Sequence, residues 1–155
     1  MTDHIPFDRA FAPEYQLQVS VGEATAPDGI TRLRLDGAGT LEAAQLREVV
    51  GAGDKERAQA RAPEGGAERV AGKLPPEEAM RLLEQVSFAQ WGRPFPQRPG
   101  IPDEAIVEVS FGRTGRGAAS ARLWLRDAEA DAAIGPVLAQ LRRHLGELSG
   151  GKVYL

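Results

Sequence analysis

The fold is decided near the end of the chain, by residues 132–148 with the sequence AAIGPVLAQLRRHLGEL. Apolar side chains recur there at intervals of three and four residues, which places them on one stripe of an α-helix; they are Ile134, Val137, Leu138, Leu141, Leu145 and Leu148. Two upstream segments, 106–111 and 119–125, alternate apolar and polar residues as strands do. Because each strand then has one apolar face to cover, we predict a sheet with this helix packed across it.

Further strands are predicted towards the N-terminus. Residues 15–21, YQLQVSV, alternate without a fault, and residues 30–35, ITRLRL, place arginines on the face opposite their leucines. Residues 36–39, DGAG, follow the second of these strands and are typical of a hairpin turn. Residues 40–50 combine helix-forming side chains with a position after this turn, so we predict a strand for their first half only.

The middle of the chain contains a second helix between two irregular segments. Residues 51–72 are poor in apolar side chains and predict a loop or a weak edge hairpin. Residues 74–88, LPPEEAMRLLEQVSF, predict a helix, because proline suits a first turn and the two glutamates stabilise the positive end of the helix dipole. Four prolines in residues 92–103 forbid a helix and predict an extended connection.

Together these elements predict an α+β fold of two layers. An antiparallel sheet of four to six strands has two helices packed on one face, since each amphipathic element must cover its apolar side. We expect this single domain to occupy residues 14–149. Residues 1–13 are predicted to be a flexible N-terminal segment and residues 150–155 a short tail.

Composition narrows the classes of function. The 155 residues carry a formal net charge of -3 and no cysteine. A net negative chain provides no general field for nucleic acid, so we expect no nucleic-acid partner. The lack of cysteine removes disulfides, thiolate nucleophiles and zinc–thiolate sites. The acidic, proline-containing N-terminus differs from a secretory signal, and no stretch is long enough to span a bilayer. We expect a cytoplasmic protein with no membrane partner.

Residues suited to catalysis or metal binding are few. The two histidines are His4, in the N-terminal segment, and His144, near the end of the last predicted helix. Neither is next to a serine or acid at the end of a strand that would form a nucleophile–base pair with it. Asp127, Glu129 and Asp131 precede that helix and are interpreted as stabilising its N-terminus. We therefore predict no catalytic residues, no metal site and no cofactor.

Three arginines are a candidate anion site. Arg113 and Arg116 lie in the glycine-rich loop between the last two strands, and Arg122 lies on the following strand. Such side chains can clasp a phosphate or carboxylate. The alternative is a solvated hairpin tip, because exposed charges commonly have no specific partner.

The candidate partner-binding residues are aromatic and basic. Four lie in or directly beside the proline-rich connection and one on the last strand; they are Trp91, Arg93, Phe95, Arg98 and Trp124. Tryptophan and arginine are enriched where proteins bind each other, so this group predicts contact with another protein. The alternative is that Trp91 and Phe95 cover one end of the core and that Trp124 lies under another strand or loop.

The order of the elements resembles that of emfourin-like proteins. The similarity spans most of residues 15–148 and includes the first strand, the second strand leading into LDGAGTL at 35–41, and the helix opening LPPEEA at 74–79 with its following leucines and Phe88. It continues through a strand pair to a terminal amphipathic helix. The chain differs at residues 21–29, VGEATAPDG, where the family has a glycine-rich start. The resemblance implies a small cytoplasmic bacterial protein that inhibits thermolysin-type metallopeptidases such as protealysin.

We therefore predict a non-catalytic protein-binding domain, an inhibitor or immunity-type partner of a bacterial enzyme such as a metallopeptidase. Two alternatives remain open: a structural subunit of a larger assembly, and an enzyme that uses carboxylates and arginines alone. An enzyme predicts a concave pocket with converging ionisable groups, whereas an inhibitor predicts a protruding loop or a flat patch. A subunit predicts self-association.

Overall fold

The computed structural model describes residues 6–22, 30–46, 67–92, 95, 104–151, 153 and 155. Within these residues one antiparallel sheet contains six strands, which are β1 Tyr15–Gly22, β2 Ile30–Asp36, β3 Thr40–Leu46, β4 Ala67–Lys73, β5 Ile106–Arg113 and β6 Gly117–Trp124. The order across the sheet is β4-β3-β2-β1-β5-β6. The helices of the described part are a 3-10 helix, Arg9–Glu14, and three α-helices, α1 Pro76–Ser87, α2 Leu125–Ala130 and α3 Ile134–Ser149. The predicted α+β fold is confirmed.

Alternating side chains correctly located the strands β1, β2, β5 and β6. The pairing register places Leu17 of β1 opposite Leu35 of β2 and Phe111 of β5, so the apolar residues of neighbouring strands share one face. The strand in the first half of residues 40–50 is confirmed as β3. Residues 67–73, predicted as loop or weak edge hairpin, form the edge strand β4, whereas residues 47–66 lie outside the described residues.

The core lies between this apolar face and the helices. Leu17 and Phe111 are completely buried there, and so are Leu83 of α1 and Leu141 of α3. The buried residues of sheet and helices form one continuous hydrophobic cluster. Burying each such side chain stabilises the fold by about 1.5–3 kcal/mol relative to exposure. The two predicted amphipathic helices therefore act as the cover of the sheet.

The end of the chain contains two helices where one was predicted. Asp131 separates α2 from α3, and its Oδ1 accepts hydrogen bonds from the backbone N–H groups of Ala133 and Ile134, both at 2.9 Å. The predicted stabilising role is thus confirmed for Asp131, whereas Asp127 and Glu129 lie within α2. Helix α3 ends at Gly150, whose φ of 63° is a left-handed conformation that glycine adopts without strain.

Leu148 is the exception in the predicted buried stripe of α3. Its side chain is 38% exposed, so the prediction that it is buried is wrong. Leu148 lies in the last turn of α3, over the edge strand β4, where its side chain packs against Gly72. An edge strand has no further strand beyond it to cover such a side chain, which explains the exposure.

The segment before β1 is part of the fold from residue 6 onward. Asp8 caps the 3-10 helix, because its Oδ1 accepts a hydrogen bond from Ala10 N–H at 3.0 Å. The Tyr15 hydroxyl donates to the carbonyl oxygen of Pro6 at 3.0 Å, and the Phe7 ring lies 4.8 Å from the Tyr15 ring. Residues 6–13, which were predicted to be flexible, therefore have specific packing partners; residues 1–5 lie outside the described residues.

None of the helices in the described ranges combines the length and apolar character needed to cross a membrane.

Candidate functional site

The face of the sheet opposite the core is polar and accessible. We call it the open face. Its side chains alternate along each strand with those of the core, as the period of two in a β-strand requires. Apart from Gly112, its residues are exposed or half-buried; on the central strands they include Gln16, Gln18, Ser20, Arg32, Arg34, Glu108, Ser110 and Ser120.

One line of residues crosses the open face from edge to edge. The pairing register aligns it through all strands from β4 to β6, in the order Arg69, Ala44, Arg32, Ser20, Glu108 and Arg122. We call this line the arginine row. Its arginines are exposed, and the side chains of Ala44 and Ser20 between them are short. The guanidinium groups therefore project beyond the short side chains between them.

The arginine row ends beside an aromatic corner, which consists of Phe95, Trp124 and Arg122. The rings of Phe95 and Trp124 are 5.1 Å apart at an angle of 57°, a tilted arrangement favourable for aromatic pairs. The Arg122 guanidinium lies 5.3 Å from the centre of the Phe95 ring, within the range of a cation–π interaction. Phe95 and Trp124 are both half-buried, so part of each ring faces solvent.

Two hollows lie in the described part of the open face. The first has a volume of about 240 Å³ and is lined by Gln18, Ser20, Arg32, Glu108, Ser110 and Ser120 together with backbone of neighbouring core residues. The second, of about 250 Å³, adjoins it towards the turn between β5 and β6 and includes Gln16, Gly112 and Ala118. Both exist because short side chains line β5 and β6 there. They offer hydroxyl, amide and guanidinium groups to a ligand.

The predicted partner-binding residues separate into three groups. Phe95 and Trp124 come together in the aromatic corner, as a contact surface requires. Trp91 is completely buried and stacks on Phe111 with ring centres 6.1 Å apart. Its placement in a contact surface is therefore wrong, and the alternative, that it covers the core, is correct. Arg93 and Arg98 lie outside the described residues.

The candidate anion clasp does not form. Arg113 shares the face of Tyr15, where it pairs with Glu14 at 2.9 Å and lies 4.0 Å from the centre of the Phe11 ring. Arg122 lies on the open face and pairs with Glu108. Because the two arginines belong to opposite faces of the sheet, they cannot converge on one anion with Arg116 of the exposed turn.

An acid–histidine contact joins α1 and α3. His144 Nε2 lies 3.2 Å from Glu78 Oε1, and Arg81 donates a hydrogen bond to the same oxygen at 2.8 Å. Hydrogen bonds from Arg81, and then from His144, hold the pKa of Glu78 below its ordinary value. The sequence could not reveal this contact, since the two residues are 66 positions apart. Only the packing of the helices brings them together.

The described residues contain no group of three or more histidine, aspartate or glutamate side chains that could hold a metal ion. Helix α3 carries His144 and also Ser149. The Ser149 hydroxyl hydrogen-bonds to the carbonyl oxygens of Leu145 and Val153. It therefore does not form a nucleophile–base pair with His144. The acid–histidine contact is a structural link between helices.

No protein-family model matches this chain, and the search of curated proteins found no significant match.

Proposed function

We propose that the chain is a non-catalytic protein-binding domain and that the open face is its contact surface. The observation that carries this proposal is the aromatic corner beside the arginine row. Tryptophan and arginine are the side chains that most often supply the binding energy of protein interfaces. Here they stand on a hydrogen-bonded sheet, so little backbone conformational entropy is lost when a partner binds.

The dimensions of the open face suit a protein partner. Six strands spaced about 4.8 Å apart, each seven or eight residues long, cover roughly 600 Å² in projection. A standard protein interface buries about 800 Å² on each partner. The open face and its rim are therefore sufficient for one such interface.

The charged groups of the open face favour binding over catalysis. Glu42 pairs with Arg34, and Glu108 pairs with Arg122. An acid–base enzyme needs two ionisable groups directed at one reacting atom. Carboxylates that are each engaged by a neighbouring arginine are better suited to fixing those arginines in place.

The specific function we propose is inhibition of a thermolysin-type metallopeptidase in a bacterial cytoplasm. This finer assignment is supported by the resemblance in element order to emfourin-like proteins. It includes the helix opening at Pro76, with Glu77 and Glu78, and the final strand pair followed by α3. The open face is then the surface that contacts the peptidase.

Titration of a thermolysin-type metallopeptidase such as protealysin with the purified chain tests this function. We expect stoichiometric loss of cleavage of a fluorogenic peptide. Trp124→Ala is expected to weaken inhibition by at least about tenfold, the size typical of a truncated interface anchor. Phe88→Ala removes another aromatic side chain, one that is 67% exposed at the end of α1, and is the matched control.

Two results would contradict the proposal at different levels. Absence of inhibition at micromolar concentration would overturn the peptidase assignment. Inhibition that Trp124→Ala and Phe88→Ala leave equally intact would instead show that the open face is not the contact surface.

A further inference from the structure

The open face is positively charged although the whole chain is negative. Its described residues include five basic side chains, which are Arg32, Arg34, Arg69, Lys73 and Arg122, and three acidic ones, which are Asp36, Glu42 and Glu108. The complete chain carries a formal net charge of -3. Positive charge is therefore concentrated on the face that we propose binds a partner.

The acidic side chains of the open face are already engaged. Glu42 and Glu108 each pair with an arginine, as described above. Asp36 closes the turn after β2, where its Oδ1 accepts hydrogen bonds from the backbone N–H groups of Ala38 and Thr40, both at 3.0 Å. By contrast, Arg32, Arg69 and Lys73 form no ion pair with any described residue. These three cations remain to be matched by a partner.

Arg32 borders the first hollow, which suits a carboxylate. The floor of this hollow carries the hydroxyl groups of Ser20, Ser110 and Ser120. A carboxylate entering it would meet the planar fork of the Arg32 guanidinium, which binds carboxylates through two parallel hydrogen bonds. The hydroxyls would donate to its remaining lone pairs. Glu108 lies at the opposite rim, where Arg122 at 3.4 Å offsets its repulsion.

We propose that the open face recognises an acidic, extended segment of the partner protein. One carboxylate of this segment binds Arg32 in the first hollow, and an apolar side chain packs against Phe95 and Trp124. This inference rests on the proposed protein-binding function and adds the chemistry of the partner.

The sheet geometry also sets the spacing of these two partner side chains. Arg32 lies on β2 and Trp124 on β6, three strand spacings away across the sheet. Arg32 is aligned with Arg122, and Trp124 follows Arg122 by two residues along β6. The two backbones are therefore roughly 16 Å apart. An extended chain advances about 3.3 Å per residue. The carboxylate and the apolar side chain of the partner are therefore about five residues apart.

Nucleic acid fits the same surface less well. Glu42 and Glu108 stand among the arginines and would repel a continuous phosphate backbone. Single-stranded nucleic acid is also bound through aromatic side chains on which successive bases stack. On the open face the aromatic rings, Phe95 and Trp124, are confined to one corner.

Fluorescence anisotropy with labelled 12-residue peptides tests this inference on the full chain. The probe contains one leucine and an aspartate five residues away in an otherwise Gly/Ser sequence. We expect saturable binding that weakens at least about tenfold when the aspartate is replaced by asparagine. Binding is also expected to weaken when the spacing is shortened to two residues, and at high salt, which screens charge pairs.

Matched variants locate the contact on the protein. Arg32→Ala is expected to weaken the acidic peptide about tenfold, whereas Arg116→Ala, in the exposed turn outside the open face, leaves binding unchanged. Arg32→Glu is expected to lose the aspartate peptide and to bind the corresponding lysine peptide better than the original chain does. Thermal unfolding of each variant verifies that it is folded.

Each other outcome overturns the inference in a distinguishable way. Preferential binding of neutral or basic peptides would overturn the acidic partner but keep the protein-binding function. Tighter binding of a labelled single-stranded oligonucleotide would overturn both. Binding of no peptide would overturn this inference alone, because the peptidase titration measures the proposed function independently.

Discussion

The two faces of the sheet use their aromatic residues in opposite ways, and the two tryptophans show it best. Trp91 is completely buried on the core side, where it extends a row of rings through Phe111 and Tyr15 to Phe7. Trp124 is half-buried on the open face beside Phe95. The same residue type thus stabilises the fold on one face and remains accessible on the other. Position relative to the sheet, and not residue type, decides whether a tryptophan is buried in the core or partly exposed.

The largest effect is expected from Trp91→Ala. Removing this ring from a packed core destabilises the fold by about 3–5 kcal/mol, because contacts are lost and a cavity remains. Trp124→Ala is the control and is expected to lower the free energy of unfolding by less than half as much. Urea denaturation followed by circular dichroism measures both. Equal losses for the two variants would break the contrast between the faces; if Trp91→Ala does not fold, Phe111→Leu provides a milder test of the same row.

A smaller effect is expected where the 3-10 helix closes the core side. A methyl group on Gly37 would overlap the backbone carbonyl of Ala12, so Gly37→Ala forces these segments apart. We expect a loss of about 1–3 kcal/mol, the usual cost of overpacking. Gly146→Ala adds the same group to α3 in open space and is expected to stabilise slightly, because alanine favours helix. If both variants were less stable than the original chain, close packing at Gly37 would not be the cause of the destabilisation.

Charge on the core side is expected to act on stability through Glu78. Its pKa is lowered from 4.5 by Arg81 and His144, so its contribution is present above pH 4.5 and is lost as the pH falls through the lower folded value. Glu78→Gln should therefore be less stable than the original chain at pH 6, by about 1 kcal/mol or less. The difference should shrink as the pH falls below 4.5.

Denaturation curves from pH 3 to pH 6 check this sign. Glu77→Gln, at a side chain that is 79% exposed, is the matched control and is expected to change stability little at either end of the range. A difference for Glu78→Gln that grows on acidification would contradict the assignment.

The smallest effect on stability is expected from Arg32→Ala on the open face. The side chain is exposed and pairs with no described residue, so the free energy of unfolding should change by less than about 0.5 kcal/mol. The same variant should weaken binding of the acidic peptide, as argued above. A large loss of stability would contradict the separation of roles between the two faces.

The candidate site could be predicted only in part from the sequence. Trp124 could be placed on the open face from its position between Leu123 and Leu125, since side chains alternate along a strand. Trp91 and Phe95 could not be separated, because both lie in or beside a proline-rich connection without periodicity. Trp91 lies in the core and Phe95 on the open face because of where the chain passes β6. There Gly92 N–H donates to the carbonyl oxygen of Ser120 at 3.1 Å.

Residue order along the chain was enough to define most of the elements, because periods of 2 and 3.6 are local properties that short segments display. It located β1, β2, β3, β5, β6 and both amphipathic helices, but not the edge strand β4 or the short helix α2. Folding was needed to align Arg69, Arg32 and Arg122 in one row and to bring Glu78 to His144. These contacts join residues far apart in the chain, and their geometry depends on strand register and helix packing, which no local pattern contains.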